Sequence, residues 1–424
     1  MKLSLILKNR RLCLLSFLAF APVFREIVLQ RRRDPSAFAT VDATNLIQVC
    51  LVFVAGIIIL IDTGHKNKLF LKSSLGSFIV YWLFCALSAA WSTQPLLSLY
   101  RSFELIIFML LMAHIIYSLS DGLSALKYLF WFAGLTVLLA LIKSYINYGF
   151  YFSGYHTNSY SVPAAMGFVG LFAACRTGLF SFRQLWIYFL FGCYAAGLLL
   201  GSSAGSLVSA FLGLIAVSFF RKKGKMSPLQ SLCVLFLLFG LFHLYLPELR
   251  NFLFPGKSDQ AIYTLTGRTG VWEYYIAGFQ EKPILGWGFP SGELEPMRFG
   301  FGGFTGSAHN GYMSIAINTG MIGIILFAFA LVRIVRQLFN KIGRDAGQSV
   351  VLFSVLITVA SNNMTYTVFG SDFSFPVMTV LGFIAYAALY LPREAIERRN
   401  RRVFFNTKPS HPIQRKAYYR PTLK

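Results

Sequence analysis

The chain is 424 residues long, 56% of its residues are hydrophobic, 13% are charged, and its mean hydropathy is +0.60. A water-soluble domain of this size could not bury so much apolar surface, so the composition excludes an ordinary soluble enzyme and indicates an integral membrane protein. The net charge of +23 lies mostly in short loops and the C-terminal tail, without a stacking motif or a recognition helix. Such a distribution is typical of membrane topology, and we expect no nucleic-acid partner.

Twelve apolar stretches follow one another along the chain. A helix needs about 20 apolar residues to cross a hydrocarbon core about 30 Å thick. Few folds besides a helix bundle can hold so many such segments, so we predict an all-α integral membrane protein with about 12 transmembrane helices. The predicted spans lie near residues 11–27, 44–61, 73–91, 98–118, 123–146, 161–176, 185–201, 204–220, 229–246, 310–332, 349–366 and 373–391.

The Lys and Arg residues of alternate short loops predict the orientation of these spans, because cationic loops stay in the cytoplasm. Residues 1–392 would form the membrane domain, 393–424 a basic cytoplasmic tail, and 247–309 a large extracytoplasmic loop. Arg25 and the arginine run at 31–33 do not fit this orientation, since they fall in a connection predicted to lie outside the cytoplasm. Either the first span is misplaced, or these arginines form an outer patch that attracts anionic headgroups.

A charged pair lies one turn inside the predicted span 98–118, near its outer end. Arg101 and Glu104 are three residues apart and therefore share one helix face. Charges inside a span usually face the bundle interior. The two groups either neutralise one another, or Glu104 holds Arg101 toward a binding site.

The large loop contains a candidate anion site. Arg268 precedes the sequence 271–279, which suits a short amphipathic helix on the membrane face and includes Trp272. A guanidinium beside a helix N-terminus can hold phosphate through paired hydrogen bonds. An ordinary interfacial arginine that meets lipid phosphate is the alternative, and Arg298 is a weaker cation in the same loop.

The sequence after this helix predicts an unusual backbone path. Pro283 should end the helix, and Gly286 and Gly288 permit conformations that other residues avoid. Trp287 and Phe289 fit either interfacial anchors or platforms for a sugar ring.

A histidine stands where the loop meets the next predicted span. His309 precedes Asn310 at the mouth of span 310–332. A neutral imidazole there can accept a proton, and an amide can orient a hydroxyl. A purely structural histidine fits the same position.

Five features together resemble the O-antigen ligase and polysaccharide polymerase superfamily, most closely its exopolysaccharide polymerases. They are Thr266-Gly267-Arg268, Trp272, the run 282–289, His309-Asn310 and Asn318-Thr319-Gly320. The resemblance is strongest over residues 260–330.

This resemblance implies an inverting glycosyltransferase of the bacterial inner membrane, with its site on the periplasmic face and no cofactor. The donor would be a glycan on undecaprenyl diphosphate and the acceptor another glycan, with Arg268 binding the diphosphate and His309 activating the acceptor hydroxyl. Membrane lipids, a chain-length regulator and a flippase are the further expected partners. Asp259 and Asp372 are isolated, which also disfavours a divalent metal.

The sequence departs from many family ligases at one position. Those ligases carry an arginine just after the serines of a short outer turn, whereas Ala204 follows Ser203 here. Arg101 would have to replace that arginine. The predicted substrate-binding residues are Arg101, Trp272, Arg298 and Asn310.

Three functions remain open from the sequence. We expect an exopolysaccharide or O-antigen polymerase, with an O-antigen ligase acting on lipid A core as the alternative. A transporter or flippase for lipid-linked oligosaccharides is the alternative of another class. Transporters commonly contain internal repeats with a site at mid-membrane, and the chain has neither an evident repeat nor charges at that depth.

Overall fold

The computed structural model describes residues 2–28, 43–61, 65–119, 121–148, 158–201, 203–220, 268–294, 307–342, 346–370 and 374–389. These residues form helices without any strand in the described ranges. The helices are α1 (Lys2–Val28), α2 (Ala43–Ile61), α3 (His65–Lys72), α4 (Leu75–Leu87), α5 (Pro95–Ser118), α6 (Gly122–Tyr148), α7 (Asn158–Arg176), α8 (Leu185–Gly201), α9 (Ala204–Phe220), α10 (Arg268–Glu281), α11 (Gly311–Ile342), α12 (Ala346–Asn362) and α13 (Phe375–Leu389).

The all-helical class and the membrane character are confirmed. Three helices, α5, α6 and α11, are long and apolar enough to cross a membrane, and several others are shorter and equally apolar. Each predicted span corresponds to a helix except 229–246, which lies outside the described residues. The count of twelve spans therefore stays a prediction. The sequence did not predict the short helix α3.

Several helix ends coincide with residues that complete or stop backbone hydrogen bonding. Pro95 is the first residue of α5, where a missing N–H is tolerated. The Asp121 carboxylate accepts a 2.8 Å hydrogen bond from the Ser124 backbone N–H before α6. Helix α10 ends at Glu281, two residues before Pro283, as the sequence predicts.

Helix α7 is the centre of one half of the bundle, because it packs against α6, α8, α9 and α12. Small residues permit this packing. A Cβ on Gly167 would lie 2.3 Å from the ring of Tyr194, whose hydroxyl donates a 2.6 Å hydrogen bond to the Phe130 carbonyl. Helix α11 is central to the other half, where it contacts α4, α10 and α12. Close backbone approach at small residues is typical of helices packed in a bilayer.

Polar contacts join the helices at the end of the bundle where α5, α7, α9 and α11 begin. We call this the site end. The Ser203 hydroxyl donates a 2.6 Å hydrogen bond to the Asn158 side chain, linking the starts of α9 and α7. The Gly311 N–H donates a 2.8 Å bond to the Asn363 carbonyl, linking the start of α11 to the end of α12.

The opposite end has its own polar contacts. The Arg333 guanidinium donates hydrogen bonds to the Ser77 hydroxyl at 2.8 Å and to the Lys72 carbonyl at 3.0 Å. The Gln337 amide donates a 2.9 Å bond to the Ala387 carbonyl. These contacts tie α11 to α3, α4 and α13. The starts of α4 and α5 therefore lie at opposite ends of the bundle, as do the ends of α12 and α13.

Candidate active site

Helix α10 lies against the start of α11. The Trp272 indole N–H donates a 3.0 Å hydrogen bond to the Ala308 carbonyl, and the Tyr275 hydroxyl donates a 3.0 Å bond to the Glu293 carbonyl. Burial, with Glu293 nearby, raises the pKa of Tyr275 far above its usual value, so its hydroxyl stays protonated. The predicted helix is confirmed and begins at Arg268, whose side chain lies outside the described residues.

Helix α11 is broken at Gly320, which has φ 62° and ψ −163°. The predicted span 310–332 is present as a membrane-length helix, and the sequence analysis did not predict the break inside it. In an unbroken helix the carbonyls of Ile317 and Asn318 would accept hydrogen bonds from the N–H groups of Met321 and Ile322. At the break these four backbone groups need other partners, because lipid offers none.

The loop 282–289 supplies those partners. The N–H groups of Trp287 and Gly288 donate to the carbonyls of Ile317 and Asn318, at 2.8 and 2.9 Å. The N–H groups of Met321 and Ile322 donate to the carbonyls of Pro283 and Ile284, at 2.8 and 3.2 Å. The loop therefore replaces both helical hydrogen bonds that the break removes.

Two glycines permit this close approach. Gly286 has φ 67° and Gly288 has φ 102°, so the unusual backbone path predicted from the sequence is confirmed. A Cβ on Gly286 would lie 2.6 Å from backbone atoms of Asn318, Thr319 and Gly320. Backbone lies directly on backbone here, and the Asn318-Thr319-Gly320 triplet marks the break.

Both roles predicted for Trp287 and Phe289 are wrong, because these rings are buried. Trp287 is 8% exposed, its indole donates a 2.8 Å hydrogen bond to the Gly278 carbonyl, and the Lys282 ammonium lies 3.7 Å from its ring centroid. Phe289 is fully buried with its ring edge-on to Trp82. Both rings therefore fix the loop to the helices rather than anchor it at the interface or bind a sugar.

His309 adopts a backbone conformation that residues other than glycine rarely use, with φ 47°. Its N–H donates a 3.2 Å hydrogen bond to the Ser307 hydroxyl, which lies 3.2 Å from the Thr367 hydroxyl. The preceding residue, Ala308, accepts the Trp272 indole bond. Contacts on both sides thus hold the histidine in this conformation.

Asn310 caps helix α11. Its side-chain oxygen accepts hydrogen bonds from the N–H groups of Tyr312 and Met313, at 3.0 and 3.3 Å. The predicted contact of Asn310 with substrate stays a prediction, and the amide oxygen already has this structural role.

A turn after α12 supports the start of α11, and the sequence analysis did not predict this turn. The Asn363 side-chain oxygen accepts hydrogen bonds from the N–H groups of Val368 and Phe369, at 3.0 and 2.8 Å. Its carbonyl accepts the N–H of Gly311. The available signal was the Asn362-Asn363 pair at the end of an apolar stretch.

The short turn between α8 and α9 leads into a buried polar cluster. The Ser206 hydroxyl lies 3.2 Å from both the Ser161 hydroxyl and the Asn362 side-chain oxygen. Gly205 lies close to Thr365, and a side chain at position 205 would displace the threonine. Hydroxyl and amide groups, rather than an arginine, thus follow the turn at Ala204.

Arg101 and Glu104 form the ion pair that their spacing predicts, at 2.7 Å. Glu104 is fully buried, while the Arg101 side chain is 16% exposed. The start of α5 is also joined to the loop region, because Ser98 donates to Ser92 at 2.7 Å and Ser92 lies 2.7 Å from Ser291.

The predicted site residues thus fall into two groups. The N-terminus of α10, Trp272, His309 and Asn310 come together at the site end. Arg101 lies on α5, which reaches that region through the serine contacts. Arg298 lies outside the described residues.

Residues 189–328 match the family model described as O-antigen ligase. The superfamily resemblance read from the sequence is therefore confirmed, and the matched segment extends from within α8 past the break in α11. It supports a glycan-transferring role in the membrane, with lipid-linked and acceptor glycans as substrates. A search of curated protein sequences finds no match to the chain.

Proposed function

We propose that the protein is a polymerase of a bacterial surface polysaccharide, an exopolysaccharide or O antigen. It would transfer a glycan from undecaprenyl diphosphate to a sugar hydroxyl, with inversion and without a metal. His309 is the general base, Arg268 holds the donor diphosphate, and the substrate contacts are Arg101, Trp272, Arg298 and Asn310.

One contact carries this proposal: the 3.0 Å hydrogen bond from Trp272 to the carbonyl of Ala308. Trp272 follows Arg268 by four residues, about one turn along α10. The axial rise between them is about 6 Å. The bond therefore holds α10, about one turn from its anion-attracting N-terminus, against the residue that precedes His309.

The chemistry follows from these placements. The acceptor oxygen attacks the anomeric carbon as the bond from that carbon to the diphosphate oxygen breaks. The acceptor proton passes to the His309 imidazole, and the electron pair leaves with the diphosphate on its lipid. A fixed cation at the departing diphosphate stabilises the transition state more than the ground state, because negative charge grows there.

The conformation of His309 supports a functional role. A residue held at positive φ without being glycine costs of order 1–3 kcal/mol, and such residues cluster at active sites. A purely structural position would accept glycine or asparagine at lower cost. The Ser307 hydroxyl accepts the His309 N–H and lies 3.2 Å from the Thr367 hydroxyl, which gives the histidine backbone a polar setting.

Ligation to lipid A core is the second candidate, and the match to the O-antigen ligase family favours it. The residue at position 204 argues for polymerisation, because it is alanine where many family ligases carry an arginine, so the ligase site is incomplete here. The two functions differ in their acceptor. A purified, reconstituted protein supplied with lipid-linked repeat units and with lipid A core would produce longer lipid-linked glycan as a polymerase, or glycosylated core as a ligase. Transport of intact donor without any change in glycan length would contradict both.

The role of His309 is tested in that assay. We expect His309→Ala to reduce transfer by about a hundred- to ten-thousand-fold, the usual contribution of a positioned base. Unextended lipid-linked units should accumulate while the donor still binds. His309→Gln keeps hydrogen bonding but cannot act as a base, so near-normal turnover in that variant would assign His309 to acceptor positioning.

The role of Arg268 is tested by Arg268→Lys, which keeps the charge and loses the planar fork of donors. We expect a large loss of transfer with normal membrane insertion. Arg336→Lys, at the opposite end of the bundle, is the matched control and should transfer normally. Wild-type amounts of long glycan from Arg268→Ala would rule out the diphosphate role.

We also propose that the active site faces the periplasm across the inner membrane. Residues 1–392 form the membrane domain, 247–309 its outer loop and 393–424 its cytoplasmic tail, with a flippase and a chain-length regulator as partners. A cysteine introduced as Ser258→Cys, in a background without native cysteines, should react with an impermeant thiol reagent in spheroplasts. Reaction only after lysis would reverse the orientation.

A further inference from the structure

A pair of hydroxyl groups joins the segment before α11 to the turn after α12. The Ser307 hydroxyl lies 3.2 Å from the hydroxyl of Thr367, which is 60 residues further along the chain. Thr367 is 4% exposed, so water has little access to its side chain. The turn lies beyond residues 189–328, the segment that matches the O-antigen ligase family. The pair therefore connects the matched segment to a part of the chain outside it.

The Ser307 hydroxyl acts on the backbone of His309. Its oxygen accepts the His309 N–H at 3.2 Å, which is the local turn that a serine forms with the residue two positions on. A serine side chain has three staggered positions, and the bond to His309 requires one of them. Because a hydroxyl has two acceptor lone pairs and one donor, it can bind the histidine N–H and the threonine hydroxyl together. The contact with Thr367 thus favours the serine rotamer that the histidine backbone needs.

Thr367 is held firmly by the turn to which it belongs. The N–H groups of the next two residues, Val368 and Phe369, donate to the Asn363 side chain at 3.0 and 2.8 Å. The buried Phe369 ring has its centroid 4.9 Å from that of Phe327 on α11. A side chain supported by such contacts can in turn hold another group in place.

The backbone of His309 needs this support. Residues other than glycine avoid its φ of 47°, so a chain without the support should relax toward negative φ. That change would move the Cβ atom and turn the imidazole away from its present direction. A displacement of about 1 Å at a reacting group can cost about a hundredfold in rate. Ala308 and Asn310 restrain the residues on either side, whereas the bond to Ser307 is made by the His309 N–H itself.

We propose that Thr367 is a positioning residue for His309 and acts through the Ser307 hydroxyl. Its effect on turnover rests on the proposed role of His309 as the base, whereas its effect on the His309 backbone does not. The turn after α12 is then required for full activity, although it lies outside the segment matched to O-antigen ligase.

The first test compares glycan transfer by reconstituted full-length variants. Thr367→Val has nearly the same shape without the hydroxyl, and we expect kcat to fall about ten- to a hundredfold, with the KM for lipid-linked donor within about twofold of wild type. Thr367→Ser keeps the hydroxyl and should restore most of kcat. Thr379→Val is the matched control and should transfer normally, because the buried Thr379 hydroxyl donates to the Phe375 carbonyl of its own helix.

A double substitution tests the path through Ser307. If the two hydroxyls act as one unit, Ser307→Ala combined with Thr367→Val transfers no more slowly than Ser307→Ala alone. Losses that multiply in the double variant, or wild-type kcat in Thr367→Val, would overturn the inference. Ser307 is partly exposed, so Ser307→Ala removes the same link should Thr367→Val fold poorly, and wild-type kcat in that variant would overturn the inference equally.

Thermal unfolding tests the effect on the backbone without a measurement of transfer. Glycine adopts a φ of 47° without strain, so His309→Gly removes the need for the support. We expect Thr367→Val to lower the unfolding temperature by about 2 °C in the wild-type chain and by much less in His309→Gly. Such coupling in a chain that transfers no glycan would refute the proposed function only. Glycan transfer without the coupling would refute this inference only.

Discussion

The two sides of the candidate active site are held by different kinds of contact. On one side, the loop 282–289 is joined to the broken helix α11 by four backbone hydrogen bonds. On the other side, the side chain of Asn363 holds the turn after α12 together, and the Asn363 carbonyl accepts the Gly311 N–H at the start of α11. The neighbours of His309 touch both: Ala308 shares a buried apolar cluster with Trp287 of the loop, and the Ser307 hydroxyl lies 3.2 Å from the Thr367 hydroxyl of the turn.

The difference determines how each side responds to substitution. Backbone hydrogen bonds do not depend on most side chains, but an added Cβ clashes where two backbones are in contact. Side-chain contacts depend on one residue and leave polar backbone groups unsatisfied when that residue is removed. The first side should therefore fail at its glycines and the second at its asparagine.

The largest effect is expected at the glycines. Gly320→Ala would place a Cβ within 2.6 Å of backbone atoms of Ile284 and Gly286, and alanine resists φ 62°. We expect a loss of more than about 4 kcal/mol of stability, through strain and overpacking, with little folded protein in detergent. Thermal unfolding followed by size-exclusion chromatography measures the change.

The matched control for this prediction is Gly192→Ala on α8. A Cβ there would meet no atom within 4 Å, so only helix propensity changes. We expect an unchanged or slightly raised unfolding temperature. Equal behaviour of the two variants would mean that backbone contact does not hold the loop.

A smaller effect is expected on the opposite side. Asn363→Ala removes the acceptor of the Val368 and Phe369 N–H groups, at a cost of about 3 kcal/mol for two unsatisfied donors. Transfer should fall with stability, because the start of α11 loses its support. Asn340→Ala, at an exposed position of α11, is the control, and a similar loss there would contradict a specific role for Asn363.

The smallest loss of stability is expected from replacing either of two tryptophans, and comparing them distinguishes a contact that only stabilises the fold from one that also supports the active site. Trp272→Phe and Trp91→Phe each remove one indole hydrogen bond to a carbonyl, of Ala308 and Leu285 respectively, for about 1 kcal/mol. Only the first bond lies beside His309. We expect about tenfold slower transfer from Trp272→Phe at saturating donor and near-normal transfer from Trp91→Phe. Equal transfer rates in the two variants would contradict a role of the Trp272 contact in the active site.

Much of the fold and part of the site followed from local patterns. Apolar runs of suitable length gave the helices, since a backbone in lipid has to satisfy its own hydrogen bonds. Pro283 and the glycines at 286 and 288 gave the helix end and the unusual turn, because these residues restrict or widen backbone freedom wherever they occur. The spacing of Arg101 and Glu104 gave their ion pair by helix geometry alone.

Other features needed the three-dimensional packing. The break at Gly320 is invisible in an apolar run, because a glycine inside a helix is tolerated and only the loop 282–289 supplies the partners that make a break possible. The buried state of Trp287 and Phe289 likewise depends on a helix surface distant in sequence. Asn310 caps a helix and Asn363 supports a turn because of the backbone N–H groups that the fold places next to their side chains.

The sequence by itself determined the membrane class, most helix boundaries and the superfamily, because these depend on composition, periodicity and short motifs. Only the tertiary structure decided which residues meet: Trp272 of α10 at the Ala308 carbonyl, Asn363 at the start of α11, and Gln48 at Glu104. Helices as apolar as these can pack in many arrangements with similar burial. The choice among arrangements rests on a few hydrogen bonds and close backbone contacts between residues far apart in the chain.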